Sequence, residues 1–100
     1  MDKYEVKLYP RAYQDIDAIY RYIAWEKLSP ENAKGQIDRI WDELKSLETF
    51  PYAHQDRQEG RYAGRGYKQL PIDNYVAIFK INEQKKTVYV VTVQYQGRNL

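Results

Sequence analysis

The sequence predicts an α+β fold in which one strand is followed by two helices and then by three strands, in the order β-α-α-β-β-β. Three observations support this prediction. Apolar and polar residues alternate over residues 4–9, apolar residues recur with a helical period over residues 11–50, and runs rich in Val, Ile and Tyr follow residue 66. Because the helices and the later strands are segregated along the chain, we expect a twisted, mainly antiparallel sheet with a two-helix hairpin packed on one face.

The first predicted strand places Tyr4, Val6 and Leu8 on one face, as a half-buried strand does. Pro10 ends this strand and is suited to the first position of a helix, which we expect to reach about Lys27. The apolar stripe of this helix is predicted to comprise Tyr13, Ile16, Ile19, Tyr20 and Ile23.

A second helix is predicted to begin at Ser29-Pro30-Glu31, where serine is suited to cap the helix and proline to occupy its first turn. Acidic side chains near a helix start interact favourably with the helix dipole, and we assign this role to Glu31 and, in the first helix, to Asp15 and Asp17. A break of two or three residues between the helices predicts an antiparallel hairpin. The second apolar stripe comprises Ala33, Ile37, Ile40, Trp41, Leu44 and Leu47.

The second half of the chain predicts a loop and three strands. Residues 51–65 are polar, without an apolar period, and are predicted to form the loop. Pro71 places the first of the three strands at a sheet edge. Asp73-Asn74 and residues 82–85 are predicted to form the turns between the strands. The predicted strands cover residues 67–72, 75–81 and 87–95.

The composition limits the kinds of site that the chain can hold. Its 100 residues suit one domain over residues 1–100, and the absence of cysteine excludes disulfides and thiolate metal sites. One histidine, His54, is too few for a zinc site, so we expect no metal and no cofactor. The N-terminus has no apolar run, and no stretch approaches the ~20 apolar residues of a membrane span. We therefore expect a cytoplasmic protein that does not enter a membrane.

Positive charge is concentrated in the second half of the chain. Residues 1–50 carry 8 basic and 10 acidic residues, whereas residues 51–100 carry 8 basic and 4 acidic ones. Residues 57–68 alone hold four cations, one anion, three glycines and two tyrosines. Arginine binds phosphate oxygens and tyrosine stacks on bases, so this stretch predicts a surface that binds a polyanion. The alternative interpretation is a flexible, solvated loop that leads into a strand.

Cleavage of RNA by a ribose hydroxyl needs a base, an acid and cations that stabilise the phosphoryl charge. Arg65, Lys68 and Arg98 are candidates for the cations, and Lys80 lies near the end of the neighbouring strand. Tyr95 precedes Arg98 by three residues and is a candidate acid or base. Histidine is a common acid or base in catalysis, although a lone loop histidine such as His54 is usually a loop residue without a chemical role.

Several motifs in order resemble the RelE/ParE superfamily of type II toxins over nearly the whole chain. They are VKLYPRA (6–12), DIDAIYRYIA (15–24), SPENA (29–33), LETFP (47–51), GYKQLP (66–71), NYVAIFKI (74–81) and GRN (97–99). The resemblance implies a βααβββ fold and an antitoxin, encoded beside the toxin, that forms a hetero-oligomer with it and blocks growth arrest. We expect Tyr13, Tyr22 and Trp25 to contact this antitoxin, unless they serve as core or edge packing. Arg57 and Arg61 are further candidates for partner binding.

The resemblance leaves the target open between two branches and a third alternative. The helix hairpin resembles the ParE branch, whose members are gyrase poisons, and we favour this branch. The RelE branch cleaves mRNA on the ribosome with cations on the middle strands and a Tyr or His near the C-terminus. By position its candidate catalytic residues are Arg65, Lys68, Lys80, Tyr95 and Arg98. Many relatives have histidine where this chain has Gln96, and some end in tyrosine where it has Leu100. The third alternative is a degenerate, non-toxic member that only binds an antitoxin.

Overall fold

The structure, a computed structural model, describes residues 3–96 and has the element order that the sequence predicts. The four strands form one sheet in the order β1-β4-β3-β2, in which β1 runs parallel to β4 and the other neighbours are antiparallel. The predicted α+β architecture is confirmed, and Pro71 lies on an edge strand as expected. No helix among the described residues has the length and apolar character to cross a membrane. The elements are β1 (Glu5–Leu8), α1 (Pro10–Arg21), α2 (Pro30–Lys45), β2 (Lys68–Ile72), β3 (Tyr75–Asn82) and β4 (Thr87–Tyr95).

Helix α1 turns a narrower face to the sheet than the sequence predicts. Ala12, Ile16 and Ile19 are buried, whereas Tyr13 and Tyr20 are 55% and 39% exposed, so their assignment to the core stripe is wrong. Both tyrosines lie one residue beyond a buried position, about 100° further around the helix. The small side chain of Ala12 occupies the buried position instead.

The hairpin between the helices begins with a widened turn. The chain continues past Arg21 as a π-helical turn (Tyr22–Glu26), in which the Lys27 N–H donates to the carbonyl of Tyr22. Leu28 follows with φ of 53° and is exposed. Pro30 begins α2 as predicted, but the Ser29 side chain makes no capping hydrogen bond, so that part of the prediction is wrong.

The sheet has an inner face, which the helices cover, and an outer face. Phe79 of β3, Val88 and Val90 of β4, and Ile40 and Leu44 of α2 belong to the core on the inner face. On the outer face a smaller cluster of buried residues packs against one side chain from the predicted loop and one from the residues just after it. It comprises Val76, Ile78 and Val91, with Tyr62 and Tyr67 packed against them. The predicted loop is therefore part of the packed structure.

Asp15 joins α1 to the edge of β4 beyond the point where β1 ends. β1 pairs with β4 only as far as Val90. The Asp15 carboxylate accepts hydrogen bonds from the Val93 N–H at 3.1 Å and from the Thr92 hydroxyl. A break in the β3–β4 register next to Val91 accompanies this contact. Asp15 lies beyond the first turn of α1, so its predicted interaction with the helix dipole is wrong. The carboxylate binds the edge of the sheet instead.

We predict that Asp15→Ala lowers the free energy of unfolding by about 2 kcal/mol, because the Val93 N–H loses its partner. Asp17→Ala is the matched control, since Asp17 forms an exposed ion pair with Arg21 at 3.3 Å. Exposed pairs contribute little, so we expect the control to change stability by less than about 0.5 kcal/mol. Urea unfolding followed by circular dichroism measures both, and equal effects would contradict the role of Asp15.

Candidate functional site

The basic stretch of residues 57–68 is attached to the edge of the sheet. The Arg57 N–H donates to the Tyr67 carbonyl at 2.8 Å, and the Gln69 N–H donates to the Gln55 carbonyl at 2.9 Å. The Arg57 guanidinium also donates to the Gln69 side chain at 2.9 Å. This stretch is thus an ordered segment beside β2. The guanidinium of Arg57 helps to attach it there, because it is hydrogen-bonded to the side chain of Gln69.

The outer face of the sheet presents one lysine between two pairs of tyrosines. The Lys80 ammonium lies 5.8 Å from the ring centroids of both Tyr9 and Tyr67. The ring of Tyr9 contacts that of Tyr89 at 6.0 Å, and the ring of Tyr67 contacts that of Tyr62 at 4.9 Å. We call Lys80 and these four tyrosines the outer tyrosine face.

The chemistry of the outer tyrosine face suits an unpaired nucleic-acid strand. Aromatic rings stack on bases and a nearby cation binds the phosphate backbone. Arg61 adds a guanidinium 5.8 Å above the Tyr62 ring. The basic stretch of the sequence indicates Tyr62 and Tyr67, whereas Tyr9 and Tyr89 were not among the predicted binding residues. Strict alternation would have found both, since each lies next to inward-facing residues of β1 or β4.

The predicted catalytic residues do not meet in one cleft among the residues that the structure describes. The Lys68 ammonium is held by the Asp56 carboxylate at 2.9 Å and by the His54 carbonyl at 3.0 Å. Arg65 is exposed and donates to the Arg61 carbonyl at 3.3 Å. Arg98 lies outside the described residues, and Lys80 alone occupies the centre of the outer face.

Tyr95 lies at the opposite end of the sheet from Lys80. In the β3–β4 register Tyr95 is opposite Tyr75, whereas Lys80 is opposite Tyr89. Five residues of strand separate the two positions, which is roughly 16 Å. Tyr95 also packs on the inner face, where its ring contacts that of Tyr75 at 5.7 Å. The register therefore separates two residues that the sequence offers as candidates for one catalytic site.

Tyr95 instead lines a pocket between the hairpin and the end of the sheet, which we call the hairpin pocket. Its volume is about 590 Å³. Tyr22, predicted as a partner-binding residue, lines the same pocket. Burial raises the pKa of Tyr75 in its wall, with further contributions from Tyr95 and Tyr22. The complete lining is Ala18, Ile19, Tyr22, Ile23, Lys27, Gln36, Asn74, Tyr75 and Tyr95.

Of the other predicted partner-binding residues, some are exposed and others already contact neighbouring side chains of this chain. Trp25 is 67% exposed at the tip of the hairpin, and Tyr13 contacts Trp41 across the two helices at 6.0 Å between centroids. Arg61 is exposed, whereas Arg57 is half-buried by its contacts with the sheet edge. Within residues 3–96 no group of three or more His, Asp or Glu side chains is placed to hold a metal ion.

Glu83 links three segments at the end of the outer face. Its carboxylate accepts hydrogen bonds from the hydroxyls of Tyr4 at 2.8 Å and Tyr52 at 2.9 Å, and it bonds the Lys86 ammonium. The Lys86 ammonium and the two phenols together lower the pKa of Glu83 from 4.5 to about 2. The same hydrogen bonds raise the pKa of Tyr4 and of Tyr52. The β3–β4 turn is thereby joined to the start of β1 and to the segment after α2.

A family model described as "ParE toxin of type II toxin-antitoxin system, parDE" matches residues 6–100 of this chain. Among curated protein sequences, none matches the chain.

Solved toxin structures share the fold. The chain is similar to a structure described as the chromosomal ParDE toxin–antitoxin system from P. aeruginosa, with a TM-score of 0.76, 20% identity, and coverage of 95% of this chain and 98% of the other. It is also similar to an archaeal RelE–RelB complex from Pyrococcus horikoshii OT3, with a TM-score of 0.64, 16% identity, and coverage of 97% and 99%. A RelBE2 toxin–antitoxin complex from Mycobacterium tuberculosis is similar with a TM-score of 0.61 and 18% identity. The match covers 95% of this chain and 93% of the other.

We predict that Glu83→Gln lowers the melting temperature at pH 7, because glutamine keeps the acceptor oxygen but loses the charge that Lys86 and the phenols stabilise. Since the pKa of Glu83 falls from 4.5 to about 2 on folding, this stabilisation is present above pH 4.5 and is lost as the pH falls towards 2. The difference from the unsubstituted protein should therefore disappear over that range. Glu59→Gln, at an exposed carboxylate, is the control and should show no such convergence. A difference that persists unchanged at pH 2 would contradict the argument.

Proposed function

This chain belongs to the ParE toxin family of type II toxin–antitoxin systems, and we propose that it arrests growth by inhibiting DNA gyrase when no antitoxin is bound. The observation that carries the proposal is the family match over residues 6–100. The fold is common to structures named for ParDE and for RelE, so it supports the toxin class without separating the two targets. The proposal implies action in the cytoplasm and needs no cofactor.

An inhibitor that acts by binding needs an exposed and firmly held surface, and the helix hairpin provides one. Buried Ala24 holds the π-helical turn against the core, while Tyr22 and Trp25 beside it are 50% and 67% exposed. Exposed tyrosine and tryptophan are the side chains that most often dominate binding energy at interfaces. We propose that Tyr13, Tyr22 and Trp25 form the binding surface of the hairpin.

We also propose that the toxin is neutralised in a hetero-oligomer with an antitoxin. The solved relatives named ParDE, RelBE2 and RelE–RelB are described as toxin–antitoxin systems or complexes, which supports such a partner. A segment of the antitoxin that folds on binding can cover the hairpin and lay apolar side chains into grooves beside it. Growth arrest then depends on loss of the antitoxin.

The outer tyrosine face favours a second candidate, a ribosome-dependent mRNA endoribonuclease. In that case Arg65, Lys68, Lys80 and Arg98 would stabilise phosphoryl charge, and Tyr95 would transfer a proton. Two features argue against it. The Lys68 ammonium is already bound to Asp56, and Tyr95 lies roughly 16 Å along the sheet from Lys80.

We predict that induction of the toxin without antitoxin stops DNA synthesis before protein synthesis and elicits a DNA-damage response, because gyrase is the proposed target. Pulse labelling of both syntheses after induction measures the order. Prompt loss of protein synthesis with DNA synthesis intact would instead favour mRNA cleavage. Harmless induction would identify a non-toxic member of the family.

A second prediction locates the target surface. In a supercoiling assay with purified gyrase, Trp25→Ala should weaken inhibition by about tenfold or more, the usual cost of removing a dominant interface tryptophan. Phe50→Ala is the matched control, since Phe50 is 68% exposed, close to the 67% of Trp25, but lies beyond the far end of α2. Arg65→Ala and Lys80→Ala should leave inhibition unchanged. Gyrase that is unaffected at saturating toxin would exclude the proposal.

A further inference from the structure

The hairpin pocket has an apolar wall and a polar rim. Ile19 and Ile23 of the first helical segment form the wall with Tyr75 of β3. The π-helical turn places Tyr22 and Lys27 at the same opening, because the widened turn brings residues five apart into register. The pocket volume of about 590 Å³ accommodates a large side chain together with its neighbours.

Three phenol hydroxyls at this pocket have no partner among residues 3–96. They belong to Tyr22, Tyr75 and Tyr95, and none donates to or accepts from another described residue. The rings of Tyr75 and Tyr95 touch at 5.7 Å, and Tyr22 lines the pocket beside them. Burial raises the pKa of Tyr75, and both of the other phenols contribute to the rise. The pocket is thus lined by three phenols that can donate hydrogen bonds.

Lys27 adds a cation that no carboxylate in the described part of the chain neutralises. Its ammonium lies 5.6 Å from the centroid of the Tyr22 ring and forms no ion pair there. Among the residues that line the pocket, Gln36 contacts an acidic side chain, since it donates to Asp73 at 3.0 Å. Asp73 is itself bound by Arg39 at 2.7 Å, and these bonds lower its pKa. The charge that complements this rim is therefore negative.

The apolar surface continues beyond the pocket. Trp25 is 67% exposed and Leu28 is 84% exposed, and both follow Tyr22 within six residues at the tip of the hairpin. A small organic acid would fill the pocket but leave these side chains in water. A polypeptide segment covers both regions at once.

We propose that the hairpin pocket anchors the antitoxin, by taking a large apolar side chain next to a Glu or Asp side chain whose carboxylate binds Lys27 and the phenols. This inference rests on the proposed function, because it takes the partner to be an antitoxin. Tyr22 and Tyr95 act in it as donors to the partner's carboxylate. Phenol and ammonium donors to a carboxylate form charge-assisted hydrogen bonds, which are stronger than neutral ones.

The test measures the affinity of the purified toxin for the purified protein encoded by the adjacent gene, by isothermal titration calorimetry. Ala18→Phe fills the pocket from an exposed position of α1, and Lys27→Glu reverses the charge of its rim. Each should weaken binding by roughly ten- to a hundredfold, as loss of a central anchor does. Lys85→Glu makes the same charge change in the β3–β4 turn at the other end of the sheet and should bind like the unsubstituted toxin. Circular dichroism confirms that each variant is folded.

The outcomes separate the inference from the proposed function. If the unsubstituted toxin binds and both pocket variants bind equally well, the anchor is wrong while the toxin–antitoxin assignment stands. If only Ala18→Phe weakens binding, the antitoxin fills the pocket but the proposed contact between its carboxylate and Lys27 is wrong. If the unsubstituted toxin does not bind the adjacent gene product at all, the proposed antitoxin partnership fails and the inference fails with it.

Discussion

The Asp15 carboxylate fixes the position of α1 on the sheet, and the binding surfaces depend on that position. β1 pairs with β4 only to Val90, so the rest of β4 faces no strand on that side. Asp15 supplies the missing acceptor to the Val93 N–H and to the Thr92 hydroxyl. A buried donor without a partner costs about 1–3 kcal/mol, so this bond both satisfies the strand and holds the helix against it. The hairpin pocket lies between the end of α1 and the end of β4, the two elements that this contact joins.

The sheet carries two surfaces that are chemically alike but differ in position and depth. On the outer tyrosine face, Lys80 lies between Tyr9 and Tyr67 on an open surface. In the hairpin pocket, Lys27 lies over Tyr22 beside an apolar wall. An open array suits a flat ligand that stacks, whereas a pocket suits a side chain that fills it. The two surfaces therefore favour different classes of ligand.

Periodicity predicts the elements well because burial imposes it directly. The strand predicted over residues 87–95 is β4 itself, and the second helix begins at Pro30 as expected. Contacts between distant segments are not periodic, so they could not be predicted. The role of Asp15 depends on where β1 stops, and the separation of Lys80 from Tyr95 depends on strand register. The hairpin pocket depends on a π-helical turn, which has no clear sequence signal.

The excess of tyrosine over phenylalanine, 11 to 2, follows from the way this small protein uses aromatic rings. Phenylalanine at Tyr4 and Tyr52 would pack as well, but it would leave the Glu83 carboxylate without two of its donors. Phenylalanine at Tyr22 and Tyr95 would keep the pocket apolar but remove the donors that favour a carboxylate beside Lys27. Tyrosine buries its ring while its hydroxyl stays available for bonding. Tyrosine thus adds hydrogen bonds between segments of a protein whose core is small. At exposed positions the same side chain can also bind a polar partner.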